Sequence, residues 1–271
     1  MTLTLDSAWT LTTRLVALAV TLQTIELLQL HRVASDRGIW RGSTLAREWS
    51  ALPRPLGALV TQLLRPRPFI ALLAMRLVAA LALGAFAMSP WTAPLPALLL
   101  ATTVLVQLRW RGTFNGGSDF MTLVVLTALT VARAAPPTSR VALGALLYIA
   151  VQTCTSYFLA GVAKLKTASW RDGRALPFFV ATSIYDRPPH VIGRALFTNA
   201  TTARLLCWAT LLLECTFPLA VVAGPRACLG YLAVAFVFHV GNARLFGLNR
   251  FLFAWAAAYP AVYFCSQLAA Q

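Results

Sequence analysis

The sequence predicts an all-α integral membrane protein: a multi-spanning bundle of about eight hydrophobic helices, with interfacial helices in two long connections. Three observations predict it. Of the 271 residues, 59% are hydrophobic and only 11% charged, and mean hydropathy is +0.71. A water-soluble domain of that composition would have to bury nearly every side chain. Apolar stretches close to the ~20 residues that a spanning helix needs recur along the chain. The connections leave no room for a separate soluble domain, so residues 1–271 read as a single transmembrane domain.

The first helix is expected over about 8–31; its start, MTLTLDSAWTLTTRLVALAV, lacks the basic opening and small-residue cleavage site of a signal peptide. The connection that follows, HRVASDRGIWRGSTLAREWSALPRPLGALVTQLLRPRP, alternates arginine and tryptophan with apolar residues and predicts a segment lying flat in the interface. Helices follow at about 68–89, 92–108 and 119–134, the last two short for a full span and expected to be tilted or partly re-entrant. A fifth, over about 141–163, leads into the second long connection, from Lys164 to about Ala203. Its mixture of aromatics, Pro, Gly and charge predicts short interfacial helices. The last three helices are expected at about 203–223, 227–243 and 250–268.

A net charge of +15 would point to nucleic acid in a soluble protein. Here the arginines gather in the connections, without a basic run interleaved with aromatics, so nucleic acid is not expected and membrane lipid headgroups are the expected neighbours. Counting basic residues on alternate connections places both termini outside a cell membrane and the Lys164 end of its helix inside. The five cysteines show no C-x-x-C spacing and read as small buried hydrophobes. With three histidines, no zinc site of helix spacing can be built, and no metal is expected.

Charge at membrane depth is costly, by ~2.5–3.5 kcal/mol at a helix centre, so each instance calls for a partner or a role. Glu26, Arg76, Asp119, Lys164, Glu214 and His239 lie in or beside apolar segments. Lys164 and Lys166 are the only lysines in a chain whose other basic residues are all arginine. Gln152, Ser156, Ala160 and Lys164 recur every fourth residue, one polar stripe leading to the amine. A desolvated lysine gives up its proton more easily than arginine and can act as a general base; the alternative is a lysine snorkelling at a helix end, the role expected of Lys166. Glu214, four residues before Pro218, can pair with Arg76 or Lys164, or be protonated and hydrogen-bonded. In FNGGSDF, Gly116 and Gly117 allow a close backbone approach, Asn115 offers a donor and an acceptor, and Ser118 or Asp119 reads as a helix cap. In FHVGNARLF, His239 and Asn242 lie three apart on one helical face and could hold a polar headgroup such as a quinone oxygen.

Taken together, YFLAGVAKLKTASWRDG, FHVGNARLFGLNRF and the Asn115 loop resemble the transmembrane region of the vitamin K-dependent gamma-carboxylases, the HTTM superfamily. The resemblance implies a helical bundle holding a reduced quinone, menaquinol or vitamin K hydroquinone. It implies Lys164 as the base, Asn115 and His239 as catalytic positioners, and Asn242, Gly116 and Gly117 beside the cofactor. In the carboxylases the deprotonated hydroquinone reacts with oxygen, giving an epoxide and a base that removes a proton from a glutamate side chain, to which carbon dioxide adds. Two departures stand against full transfer. Gly116 replaces the histidine that follows the asparagine in the carboxylases, and the chain ends at Gln271 where they continue into a peptide-binding extramembrane domain. HTTM-only SdpB-like proteins, which mature an exported sporulation-delaying peptide, fit the length better. They imply an exported peptide substrate and a small partner protein. The carboxylase site works on the outer face, in conflict with the inside placement read from the arginines.

Three function classes therefore stand: a carboxylase-like, quinone-dependent oxygenase in peptide maturation; a non-catalytic membrane partner such as a toxin-immunity or scaffold protein; and a transporter, for which no inverted repeat is visible. The second class puts its weight on helix-packing glycines, Gly144, Gly161 and Gly230.

Overall fold

The computed structural model describes residues 2–33, 35, 38, 52–110, 116–136, 138–182 and 199–271. Among them all regular structure is helical. In chain order the helices are α1 Leu5–Gln29, α2 Arg54–Leu63, α3 Pro66–Ala85, α4 Leu95–Trp110, α5 Gly116–Arg133 and α6 Arg140–Leu165. They continue with α7 Ala168–Arg171, α8 Ala175–Ala181, α9 Ala200–Thr216, α10 Leu219–Val222, α11 Pro225–Phe246, α12 Asn249–Ala256 and α13 Tyr259–Ala269.

Among the described residues, six segments are long and apolar enough to cross a membrane: Leu5–Gln29, Pro66–Ala85, Pro90–Trp110, Arg140–Leu165, Pro225–Phe246 and Asn249–Ala269. Their side chains confirm the solvent they are built for. Only 11% of the apolar window of Pro225–Phe246 is buried within the protein, and Val237 is 69% exposed. Such a surface has a favourable neighbour only in lipid.

The expected count of about eight resolves into these six and two shorter helices. α5 has 18 residues, with Asp119 in its first turn and Arg133 in its last. α9 has 17 and stops at Thr216, before Pro218, whose ring cannot continue the hydrogen-bond ladder; the chain resumes helically as α10. The segment expected to be short at 92–108 is longer than the hydropathy indicated, because a 3-10 turn at Pro90–Thr92 precedes α4. In the first long connection α2 is a helix with Val60 buried, and in the second α7 and α8 are short helices. Ser118 and Asp119 do not cap α5 from outside: the helix begins at Gly116, placing both in its first turn.

The chain divides into two compact units, an N-terminal one of Trp9–Ala145 and a C-terminal one of Leu146–Gln271 with Met1–Ala8. Leu27, Val60, Leu64, Phe69, Leu72, Leu73, Val106 and Trp110 form an apolar cluster in the N-terminal unit. A polar network lies in the same unit. Arg76, fully buried, donates from Nε to Thr24 Oγ1 at 3.0 Å, from Nη2 to Gln23 Oε1 at 2.6 Å and from Nη1 to Thr103 Oγ1 at 2.6 Å. Gln23 in turn donates to Asp119 Oδ1 at 2.7 Å. The guanidinium thus ties α1, α3 and α4 together and, through Gln23, the start of α5. A five-donor fork meets this demand better than an ammonium, which explains arginine at this depth.

Removing the fork strands several buried acceptors at once. Arg76→Ala is expected to destabilise the detergent-solubilised protein by about 3 kcal/mol, read as a lowered thermal unfolding midpoint; an unchanged midpoint would show the network to be dispensable.

Candidate functional site

Within the C-terminal unit, α9 packs against α7, α8 and α11, and α11 packs against α12 and α13. α6 approaches α9 so closely at Gly161 that a Cβ there would lie 2.7 Å from Cys215 N, 2.8 Å from Cys215 Sγ and 2.9 Å from Glu214 Cβ. Only a residue without a side chain permits this approach. Three residues further along α6 the approach is used: Lys164 Nζ donates to both carboxylate oxygens of Glu214, each at 2.7 Å. Of the pairings open to Glu214 from the sequence, the one with Lys164 is realised.

The pair is buried unevenly. The Glu214 side chain is 5% exposed and that of Lys164 25%, so the carboxylate is sealed in by protein while the amine reaches an opening. Trp170, carried by α7, lies with its ring centroid 5.4 Å from Nζ, a cation–π contact on the same ammonium.

A cavity of about 420 Å³ opens beside the pair. Its walls are largely aromatic, including Tyr157, Trp170, Phe179, Phe238, Phe251 and Trp255; its polar groups are Lys164, Glu214, Ser156, His239 and Asn242. Local structure explains the convergence. Ser156, Tyr157, Ala160 and Lys164 share one face of α6 at spacings of three, four and seven. His239 and Asn242 are one turn apart on α11. That helix ends at Gly247, whose φ of 67° is left-handed and whose N–H caps Ala243 O. The turn sends the chain back as α12, placing Phe251 and Trp255 on the cavity wall.

The cavity wall also carries a second polar cluster. Tyr157 Oη is 2.7 Å from His239 Nε2 and 3.2 Å from Tyr259 Oη. The Tyr157 ring stacks on Phe217 at 3.9 Å and meets Trp255 edge-on at 4.6 Å. The imidazole lies nearly parallel to Trp255, 5.4 Å away at 23°. His239 is 3% exposed, and its Nδ1 has no hydrogen-bond partner among the described residues.

The polar residues singled out by sequence separate into two groups. Lys164, His239 and Asn242 come together in this cavity, with Ser156 and Ala160 from the polar stripe but without Gln152. Asn115 lies outside the described residues. Gly116 and Gly117 open α5 in the N-terminal unit, and a Cβ on Gly116 would meet nothing within 4 Å. Lys166 follows the end of α6 and is exposed, as expected of an anchoring lysine. Sequence reasoning missed Tyr157, Trp170 and Trp255. Tyr157 was within reach, since it stands seven residues before Lys164 on the same helical face; the two tryptophans come from elements whose packing no local pattern announces. Among the described residues no group of histidine, cysteine and carboxylate side chains could hold a metal ion.

A family model described as the HTTM domain matches residues 127–267, just over half of the chain. The chain belongs to the HTTM family. The matched stretch contains every residue lining the cavity and begins after Asn115, Gly116 and Gly117. No curated protein and no solved structure matches the chain.

The glycines distinguish close packing from mere smallness. Cβ atoms on Gly144 and Gly230 would meet nothing within 4 Å, so of the three expected packing positions only Gly161 is sterically required. Gly161→Ala is expected to cost about 1–3 kcal/mol and to part Lys164 from Glu214. Gly144→Ala and Gly230→Ala should leave the thermal unfolding midpoint in detergent unchanged or slightly raised.

Proposed function

We propose that this HTTM-family protein binds a reduced quinone, menaquinol or vitamin K hydroquinone, in the cavity of its C-terminal unit, and that it takes part in maturing an exported peptide at the cell membrane. One observation carries the quinone reading: an aromatic-walled cavity of about 420 Å³ with an ion pair and a buried histidine on its walls. Apolar flat walls with few polar groups are what a fused aromatic ring with two oxygens needs. The residues fit such a group: Trp170, Phe251 and Trp255 line the cavity with aromatic rings, Lys164 offers a cation, and Asn242 offers a donor and an acceptor. The peptide-maturation part rests on the resemblance to SdpB-like proteins, with a small partner protein assisting. The arginine distribution supports a placement with both termini outside.

A bound hydroquinone supplies oxygen-dependent chemistry, its oxidation by O₂ to the epoxide with release of water. The protein's share is handling protons and excluding water. At 2.7 Å from two carboxylate oxygens, Lys164 rests as an ammonium. Passing one proton from Nζ to a Glu214 oxygen gives a neutral amine beside a carboxylic acid, a pair without charge separation. The amine is then the proton acceptor, and the ammonium re-formed on accepting a proton stabilises an anion in the cavity. Glu214 is on this reading the residue that makes a lysine base available. The same pair supports a second reading. Together with the Gly161 approach it clamps α6 to α9, which is what a non-catalytic scaffold requires.

Incubation of the purified protein with a naphthohydroquinone and oxygen separates the two. Epoxide formation is expected in the wild type and should fall at least a hundredfold in Lys164→Ala. Lys164→Arg, which keeps the charge but cannot lose its proton, should be equally inactive while still folded. Hydroquinone binding without epoxide would favour the scaffold, and wild-type turnover in Lys164→Arg would remove the amine from the chemistry.

A further inference from the structure

Where α6 gives way to α7, the C-terminal unit gathers cations that it does not neutralise. Lys166 follows α6, Arg171 ends α7, Arg174 precedes α8 and Arg204 stands in the second turn of α9, all exposed. Packing holds them together. A Cβ on Gly173, whose φ of 81° is left-handed, would lie 2.6 Å from Arg204 Cα and 2.7 Å from its Cβ. The turn between α7 and α8 therefore rests on α9 where the Arg204 side chain leaves it. Trp208, one turn further along α9, donates from Nε1 to Arg171 O at 3.2 Å. Arg171 Nη1 in turn donates to Leu165 O at 2.6 Å, beside Lys166.

The neighbouring acids are taken. Glu214 is paired with Lys164, and Asp172 with Arg174 at 2.8 Å. Among the described residues Lys166, Arg171 and Arg204 have no carboxylate partner. Like charges held side by side repel, and an anion from outside the protein offsets that repulsion. The surroundings indicate which anion. Phe178 is 62% and Leu205 66% exposed, and both stand among these cations in the chain, with Trp208 half-buried beside them. Arginine and lysine interleaved with exposed aromatic and apolar side chains make up the mixture found at the level of lipid headgroups.

We infer that Lys166, Arg171, Arg174 and Arg204 form a discrete site for the phosphate of an anionic phospholipid. The inference is independent of what the cavity holds. A phosphodiester spreads one negative charge over two oxygens, which the remaining N–H groups of the guanidinium forks can meet in pairs. Arg171 and Arg174 are already fixed by their bonds to Leu165 O and Asp172, so little side-chain freedom is lost on binding. That preorganisation separates a site from the diffuse attraction of any basic surface for an anionic leaflet. The same short helices carry Trp170, Leu176 and Phe179 into the cavity wall. A headgroup that bridges them to α9 thereby steadies that wall.

The test offers the full chain in neutral detergent equal amounts of phosphatidylglycerol and phosphatidylcholine, with retained lipid counted by native mass spectrometry. One phosphatidylglycerol is expected to be kept, in preference to phosphatidylcholine by about tenfold or more. Arg204→Gln removes a side chain without an ion-pair partner among the described residues. It should weaken retention about fivefold and leave the unfolding midpoint unchanged. Arg171→Gln combined with Arg204→Gln should weaken it about twenty-five-fold. Arg65→Gln with Arg67→Gln takes the same charge from exposed positions at the start of α3, and should leave retention as it was. Equal loss in the two double variants, or no preference for phosphatidylglycerol in the wild type, overturns the inference. So does inorganic phosphate or a glutamate-rich peptide bound as tightly as the lipid and dependent on Arg204, which would assign the cluster to a soluble anion.

Discussion

A charge surrounded by hydrocarbon has to find its counterpart inside the protein, because lipid offers none. The ion pair between Lys164 and Glu214 shows what that constraint does to a fold. Beside the pair, whose two oxygens lie at 2.7 Å from Nζ, α6 and α9 run almost in backbone contact. The absence of a side chain at Gly161 is what allows it. The pair then fixes one wall of a cavity whose other walls are aromatic. The N-terminal unit answers the same constraint with neutral partners as well, surrounding the Arg76 guanidinium with threonine hydroxyls and a glutamine. The Lys164–Glu214 pair sits at an opening beside a cavity, and Arg76 is fully buried; that difference in access is why the first reads as a site and the second as a fastening.

The cavity wall carries two polar groups of unlike character. Lys164 and Glu214 form an ion pair whose amine reaches an opening. Tyr157, His239 and Tyr259 are joined by hydrogen bonds, with the imidazole closed in by aromatic rings.

Much of the architecture was legible in the sequence because lipid imposes a long, uniform requirement on a spanning helix. Runs such as Arg140–Leu165 and Pro225–Phe246 announce themselves by hydropathy alone. The errors fell where local chemistry breaks the run. Pro218 ends α9 early, and the prolines around Trp91 lengthen the third span by a 3-10 turn. Of the candidate site, Lys164, His239 and Asn242 were legible because each stands on a helix whose register is fixed by period. For Glu214 the sequence offered Arg76 and Lys164 as partners without choosing between them, since an ion pair across fifty residues of chain leaves no local trace.

By itself the sequence determined that this chain lives in a membrane, where most of its helices run, and that one amine and one imidazole sit on apolar helix faces. These follow from composition and from a 3.6-residue period, both properties of neighbouring residues. Only the tertiary structure decided that the amine belongs to Glu214 and the imidazole to Tyr157, that tryptophans from α7 and α12 close the cavity, and that Gly161 is required where Gly144 and Gly230 are not. Such pairings depend on how far apart two helices stand and how each is rotated, and those quantities are set by the packing of whole faces against one another.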